Sequence, residues 1–332
     1  CSLVGSEMCI RDSYAHEYLR VIFGGILCTM AYNIAASILR SLGDSRTPLY
    51  FLILSSFLNI VLDIFFIATL HMGTAGAAWA TVLSQGISAL LCFWYMFHNY
   101  NNLRLSIRDL YPDPYRILCM IQSGIPMALN QTVTAFGIMI LQSGINQFGS
   151  SVMAAYTAAS KLESLVMQPM IALGSGISTY CAQNIGARKT KRIFVGVRST
   201  MLLSLGAAIL GMALYGIASK AILRIFLSDP SPEMVHYALQ YLYTSVWFLL
   251  FLAWIFLFRN ALVGLGNGLI TIIGGVAELL CRFLCIHFLL QPFGFWCICL
   301  TNPITWIVAC SLFCGFYFRW EYQQKHCSKS AR

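Results

Sequence analysis

The chain has 332 residues, of which 58% are hydrophobic and only 10% charged, and its mean hydropathy is +0.73. Soluble domains carry about 25% charged residues, so this chain cannot clothe a globule in polar side chains and reads as an integral membrane protein whose first partner is the lipid bilayer. The formal net charge of +9 does not point to nucleic acid, because the basic residues lie in short connections between apolar runs, as in cytoplasmic loops of helical membrane proteins.

Residues 1–13, CSLVGSEMCIRDS, are polar and mixed and match no signal-peptide design. They are expected to be a non-native leader. Nine apolar segments of membrane-spanning length then follow, near 18–38, 48–70, 75–97, 120–147, 150–180, 193–218, 236–258, 268–290 and 295–318. The fold class expected is all-α and polytopic, with nine transmembrane helices. The longest connection, residues 99–119, holds Pro112 and Pro114 and separates a three-helix part (14–98) from a six-helix part (120–318), with a tail over 319–332. A faint repeat crosses it: Leu39, Leu42, Gly43 and Asp44 correspond to Leu262, Leu265, Gly266 and Asn267 at an offset of 223. Transporters are often built from such repeats.

Lys and Arg in the connections set the orientation. Alternate connections and the tail hold 14 of them, including Arg188, Lys189, Lys191, Arg192, Arg259, Arg319 and Lys325, whereas the intervening ones hold only Lys220 and Arg224. The basic side, with the C-terminus, is expected in the cytoplasm, and the first helix is expected to start outside. An outside start with an odd number of helices, on a chain beginning with Cys1, is what an N-terminally truncated transporter would give. Thirteen cysteines are scattered through apolar segments without paired CxxC units, and the six histidines do not cluster. They read as small buried hydrophobes rather than a metal centre.

Asp63 is the only charge between Pro48 and Leu70. A charge at that depth costs several kcal/mol unless it meets a cation, a cavity or a partner. Asn59, one turn earlier, shares its helix face, and Ser55 and Ser56 extend the polar stripe. Carboxylate, amide and hydroxyl oxygens suit a hard cation such as Na⁺, and a lone carboxylate equally suits a proton. The next helix offers Thr81, Ser84 and Gln85. Elsewhere, Glu278 and Arg282 form an i,i+4 pair, Lys161 and Glu163 stand two residues apart on different faces, and Asn130, Gln131, Thr134 and Gln142 run along one side of the fourth segment. These groups either line a polar substrate cavity or hold helices together. Gly264-Leu265-Gly266-Asn267-Gly268 follows no strand and reads as a turn, not a phosphate cradle. No catalytic constellation stands out, so an enzyme is not expected.

With those residues in view, the chain resembles the multidrug and toxic compound extrusion (MATE) family from about Tyr18 to Trp320. The carriers are the run Ala36 to Pro48 (ASILRSLGDSRTP), Leu58 to Asp63, Gly73 to Ala78 with Ala80-Thr81, Gly124-Ile125-Pro126, Ala154 to Glu163, and Gln183 to Ala187. The resemblance implies twelve helices in two six-helix lobes that rock between outward- and inward-open states, of which this chain would hold the fourth to twelfth. It implies export of organic cations and other small amphipathic compounds in exchange for Na⁺ or H⁺, from a bacterial inner membrane, by a monomer without cofactors. The family's first-lobe cation site maps onto Asp63, Asn59 and Thr81, with Asn33 as a further polar member. The substrate cavity would draw on Asn130, Gln131, Thr134, Lys161, Glu163, Glu278 and Arg282. Two departures stand out. The family site also uses an Asp on a first helix with no counterpart here, and a second-lobe acid found on the seventh helix in some branches falls at about Thr134, so a second-lobe site of that type is not expected. A lipid-linked saccharide flippase of the same superfamily is the nearest rival, although such proteins line their cavities with several basic residues and this chain has few intramembrane cations. A polytopic enzyme or a channel would need a clustered acid–base set or a repeated filter motif, and neither is present.

Overall fold

In hydrocarbon each backbone N–H and C=O must be satisfied within its own segment, which makes the helix the default for apolar runs like these. The structure, a computed structural model, describes residues 2–100, 111–226 and 231–330, and every regular element among them is helical. Two compact units divide between Pro112 and Asp113. The first contains α1 (Ser2–Gly24), α2 (Ile26–Ser41), α3 (Arg46–Ile64) and α4 (Gly73–Asn99). The second contains α5 (Pro114–Ile145), α6 (Ser150–Gly186), α7 (Thr190–Phe226), α8 (Pro232–Ser245), α9 (Leu249–Gly264), α10 (Leu269–Leu284), the single turn α11 (Leu290–Phe293) and α12 (Phe295–Ser330). Arg104, Arg108, Lys220, Arg224, Lys329 and Arg332, which entered the orientation count, lie where no side chain is described.

The nine expected spans need a correction. Among the described residues seven helical rods are long and apolar enough to cross a membrane, and eight if α1 and α2 are joined through their 46° bend at Gly25. The remaining rod, α6, is 37 residues long but falls short in apolarity, because Lys161, Glu163 and many Ser, Thr, Gln and Asn residues dilute it. Arg259 also needs correction. It lies inside α9, half-buried, with its guanidinium 5.1 Å from the Phe256 ring centroid, and not in a loop.

In the first unit α4 is the hub, packed by α1, α2 and α3. Tyr32, Ala35, Ala36 and Leu39 of α2 meet Ala89, Cys92 and Met96 of α4. The Tyr32 hydroxyl donates to the Pro48 carbonyl (3.0 Å), and Ser88 donates to the Phe51 carbonyl (3.1 Å). In the second unit α6 packs on α7, α8 and α9, while α12 packs on α8, α9 and α10, and α10 on α5. Small residues set these crossings. A Cβ on Gly174 would lie 2.9 Å from the Phe256 carbonyl oxygen, and one on Gly264 would collide with the carbonyl of Ser178.

The faint repeat is structural. Leu42, Gly43 and Asp44 donate their N–H groups to the carbonyls of Ile38, Arg40 and Leu39, and Leu265, Gly266 and Asn267 donate to Ala261, Val263 and Leu262 in the same pattern. Gly43 and Gly266 take φ of 92° and 84°, the left-handed conformation that closes such a helix end. In the first unit Asp44 also caps α3, accepting from the N–H groups of Arg46 (3.2 Å) and Thr47 (3.1 Å). Partial burial raises its carboxyl, but hydrogen bonds from Thr47 and Arg46 outweigh that and hold it below the usual range.

The correspondence extends along the helices. The break at Gly25 matches the 3₁₀ turn Val246–Phe248, and π-helical turns, Phe65–Thr69 and Cys285–Leu289, follow both α3 and α10. Gly73 (φ 57°) and Gly294 (φ 54°) then open α4 and α12. The buried positions Pro48 and Ser55 of α3 fall, 223 residues on, at buried Thr271 and Glu278 of α10. With an offset of 221, buried Gly76, Ala78, Ala80, Val82, Ser84 and Ser88 of α4 fall at Cys297, Cys299, Thr301, Pro303, Thr305 and Ala309 of α12, all buried. The first unit therefore repeats the α8–α12 part of the second.

Gly264→Ala is expected to lower the detergent-solubilised melting temperature, costing about 1–3 kcal/mol as expected for overpacking, because the new methyl meets backbone. Gly176→Ala on α6, where a Cβ would find open space, is expected to leave it unchanged.

Candidate cation site and the polar network of the second unit

The stripe on α3 brings Asp63, Asn59 and the neighbouring helix together. Asn59 donates its amide to the Thr81 hydroxyl of α4 (3.4 Å), and Thr81 donates to the Ala77 carbonyl of its own helix (3.0 Å). Asp63 lies one turn beyond Asn59 on the same face. It is half-buried, and its Oδ1 is fully buried without a hydrogen-bond partner among the described residues. A bare carboxylate oxygen in an apolar helix is costly to leave uncompensated. One turn away on its face lies the Asn59 amide, bonded to the Thr81 hydroxyl. Amide and hydroxyl oxygens are the hard donors that Na⁺ prefers over sulfur or imidazole, and the carboxylate can also take a proton. The donor set therefore fits a hard monovalent cation.

The expected stripe and its neighbours are partly broken up. Ser55 is buried, but Ser56 is exposed and donates to the Leu52 carbonyl of its own helix (3.0 Å). Asn33 is exposed on α2 and donates to the Thr29 carbonyl (2.9 Å), a bond within its own helix that does not join it to Asp63.

In the second unit the polar residues separate into inward and outward groups. Lys161 and Gln131 are exposed and Thr134 is half-buried, donating to the Asn130 carbonyl (2.9 Å). Asn130 is buried and donates to the Thr271 carbonyl of α10 (2.6 Å). That bond holds helices together. Glu163 is 6% exposed, and its Oε2 accepts a 2.6 Å hydrogen bond from the Tyr241 hydroxyl of α8. That hydroxyl accepts in turn from the Asn302 amide of α12 (2.8 Å), while the Tyr156 ring meets the Tyr241 ring edge-on at 5.0 Å. Three helices thus converge on one carboxylate.

Arg282 and Glu278, both buried on α10, form a loose ion pair of 3.9 Å between Nη2 and Oε2. The Nε and Nη1 of Arg282 have no hydrogen-bond partner among the described residues. The guanidinium lies against Gly137 of α5, where a Cβ would approach Nη1 to 2.7 Å.

Sequence reasoning missed Tyr241 and Asn302. Asn302 carried a usable signal, because an amide followed by Pro303 within an apolar run is as conspicuous as Asp63. Tyr241 carried none, since a tyrosine in a membrane helix is ordinary.

The MatE family model matches residues 12–65 and 126–293. Among curated proteins the chain is 32% identical over 228 residues to the probable multidrug resistance protein YpnP of Bacillus subtilis (strain 168), covering 69% of this chain and 50% of that protein. It is 28% identical over 224 residues to the probable multidrug resistance protein NorM of Thermotoga maritima, covering 66% and 48%. The chain thus spans about half the length of these relatives. Among solved structures it superimposes on MATE in complex with MaL6 with a TM-score of 0.85, 22% identity and coverage of 93% of this chain and 70% of that one. For the outward-facing conformation of a multidrug resistance MATE family transporter of the MOP superfamily the values are 0.83, 22%, 91% and 68%. At that identity the likeness shows the fold.

Tyr241→Phe removes the donor to a buried carboxylate and is expected to cost about 1–3 kcal/mol of stability, read as a lower melting temperature in detergent. An unchanged melting temperature would mean that Glu163 draws nothing from that bond.

Proposed function

We propose that this chain, which belongs to the MatE family, works in a multi-pass secondary antiporter that expels organic cations and other amphipathic compounds in exchange for Na⁺ or H⁺ moving inward. The observation that carries this reading is the buried Oδ1 of Asp63, without a hydrogen-bond partner among the described residues, one turn from the Asn59 that bonds Thr81. The names of the relatives, which call YpnP and NorM probable multidrug resistance proteins, supply the class of cargo. The membrane is read as the bacterial plasma (inner) membrane, from the bacterial source of those relatives, and the working form as a monomer without cofactor.

Asp63, ionised, takes up a cation with oxygen donors from Asn59 and Thr81. In the orientation set by the basic connections α3 runs outward, so Asp63 lies in its outer half and loads from outside. The membrane potential favours inward movement of each charge by about 2.3 kcal/mol per 100 mV. Exchange requires that cation and cargo favour different conformations of the transporter. Of the residues considered for the substrate cavity, exposed Gln131 and Lys161 are assigned to cargo contact. Buried Asn130, Glu163, Glu278 and Arg282 are assigned to the framework behind it.

In everted vesicles Asp63→Asn is expected to abolish ion-driven export of a fluorescent organic cation while the protein still inserts. In the purified chain it should remove the rise in melting temperature that Na⁺ or acidification gives. Unchanged export and an unchanged response would take Asp63 out of the mechanism. A fluorescent protein fused after Arg332 should fluoresce in intact cells, as a cytoplasmic C-terminus requires, and a dark fusion with normal insertion would reverse the topology.

A further inference from the structure

The internal repeat allows the cation site of the first unit to be located in the second. With the offset of 223 that aligns the buried stripes of α3 and α10, Ser55 falls at Glu278, Asn59 at Arg282 and Asp63 at Ile286. With the offset of 221 that aligns α4 with α12, Thr81 falls at Asn302. The two positions that hold the amide–hydroxyl pair in the first unit therefore hold a guanidinium and an amide in the second. The carboxylate has no counterpart on α10 at its own position.

Negative charge reaches this locus from elsewhere. Glu278 sits one turn before Arg282 on the same face, and Glu163 comes from α6 through Tyr241 to Asn302. Glu278 and Arg282 are thus paired at one repeat-equivalent position, and Glu163 is linked through Tyr241 to Asn302 at the other. Gly137 leaves room for the guanidinium against α5. Arg282 is not tightly consumed by any one partner, since its contact with Glu278 is 3.9 Å and two of its nitrogens have no hydrogen bond among the described residues. A guanidinium stays protonated throughout the accessible pH range.

We propose that Arg282 is a tethered cation: it occupies in the second unit the place that an exchangeable Na⁺ or H⁺ takes in the first, and so keeps the second unit from binding a coupling ion. The idea rests on the reading of Asp63, Asn59 and Thr81 as a cation site. It goes beyond that reading by making ion binding a property of the first unit and not of the second. The Glu163–Tyr241–Asn302 network then serves to hold negative charge toward a fixed partner. It does not serve to recruit a mobile ion.

The test measures melting of the purified chain in detergent, in NaCl against choline chloride at equal ionic strength and across a pH series. In an Asp63→Asn background with Arg282 intact, no Na⁺- or proton-dependent stabilisation attributable to Glu163 is expected. Adding Arg282→Gln should create one, seen as an upward shift of melting temperature with Na⁺ or with acidification, and Glu163→Gln should remove it again. If Arg282→Gln does not fold, the charge-neutral Glu278→Gln/Arg282→Gln pair replaces it, leaving Glu163 to carry the response. Two results would overturn the proposal. One is a Glu163-dependent response while Arg282 is present. The other is a folded Arg282 variant with no new response. Failure of the antiport reading looks different: the unmodified chain would then lack any Asp63-dependent response, whatever the Arg282 variants do.

Discussion

The expense of a charge in hydrocarbon organises this structure. Asp63, Glu278 and Arg282 lie within strongly apolar helices and Glu163 within the more polar α6, and no water on the lipid side can solvate them. Glu163 meets that cost with a hydrogen bond from Tyr241, itself bonded by Asn302, which binds α6, α8 and α12 at one point. Glu278 and Arg282 meet it with each other and by burial under α5. Asp63 alone leaves a buried carboxylate oxygen without a partner among the described residues. Because the other intramembrane carboxylates among the described residues are satisfied, the one left open is where we propose that an exchangeable ion binds.

The scaffold around these charges is repeated, and the charges are not. The helix break, the left-handed glycine turn, the π-helical turn and the opening glycine recur at nearly constant offsets, and the buried faces of α4 and α12 coincide position by position. Backbone geometry of this kind depends on small residues at crossings and on glycine at positive φ, requirements that tolerate little substitution. The polar side chains mounted on it are not tied to that geometry. One framework can therefore carry an open carboxylate in one unit and a neutralised cluster in the other.

Much of this was legible in the residues. Composition excluded a soluble fold, and the apolar runs marked the cores of the helices, although α5, α7 and α12 run well past the expected ends. Asp63 and Asn59 announced themselves by polarity and by the i,i+4 spacing that fixes a common face. Four matched residues were enough to hint at the repeat. Other features were not legible. Whether Glu163 or Lys161 turns inward depends on which flank of α6 meets α8, and spacing alone says only that they differ. Asn33 looked like a neighbour of Asp63 but is spent on its own helix. Arg259 looked like a loop cation because it follows an apolar run, yet α9 continues past it to Gly264.

By itself, then, the sequence determined the class of the protein, the order of its helices and the candidates for a cation site, because hydropathy, charge and helical periodicity are local properties. Only the tertiary structure decided which of the polar residues are satisfied and which are left open. That depends on pairings between positions as far apart as Glu163, Tyr241 and Asn302, which the chain brings together by packing. The same packing established that the first unit repeats part of the second, since burial along a helix is set by its neighbours and not by its own residues.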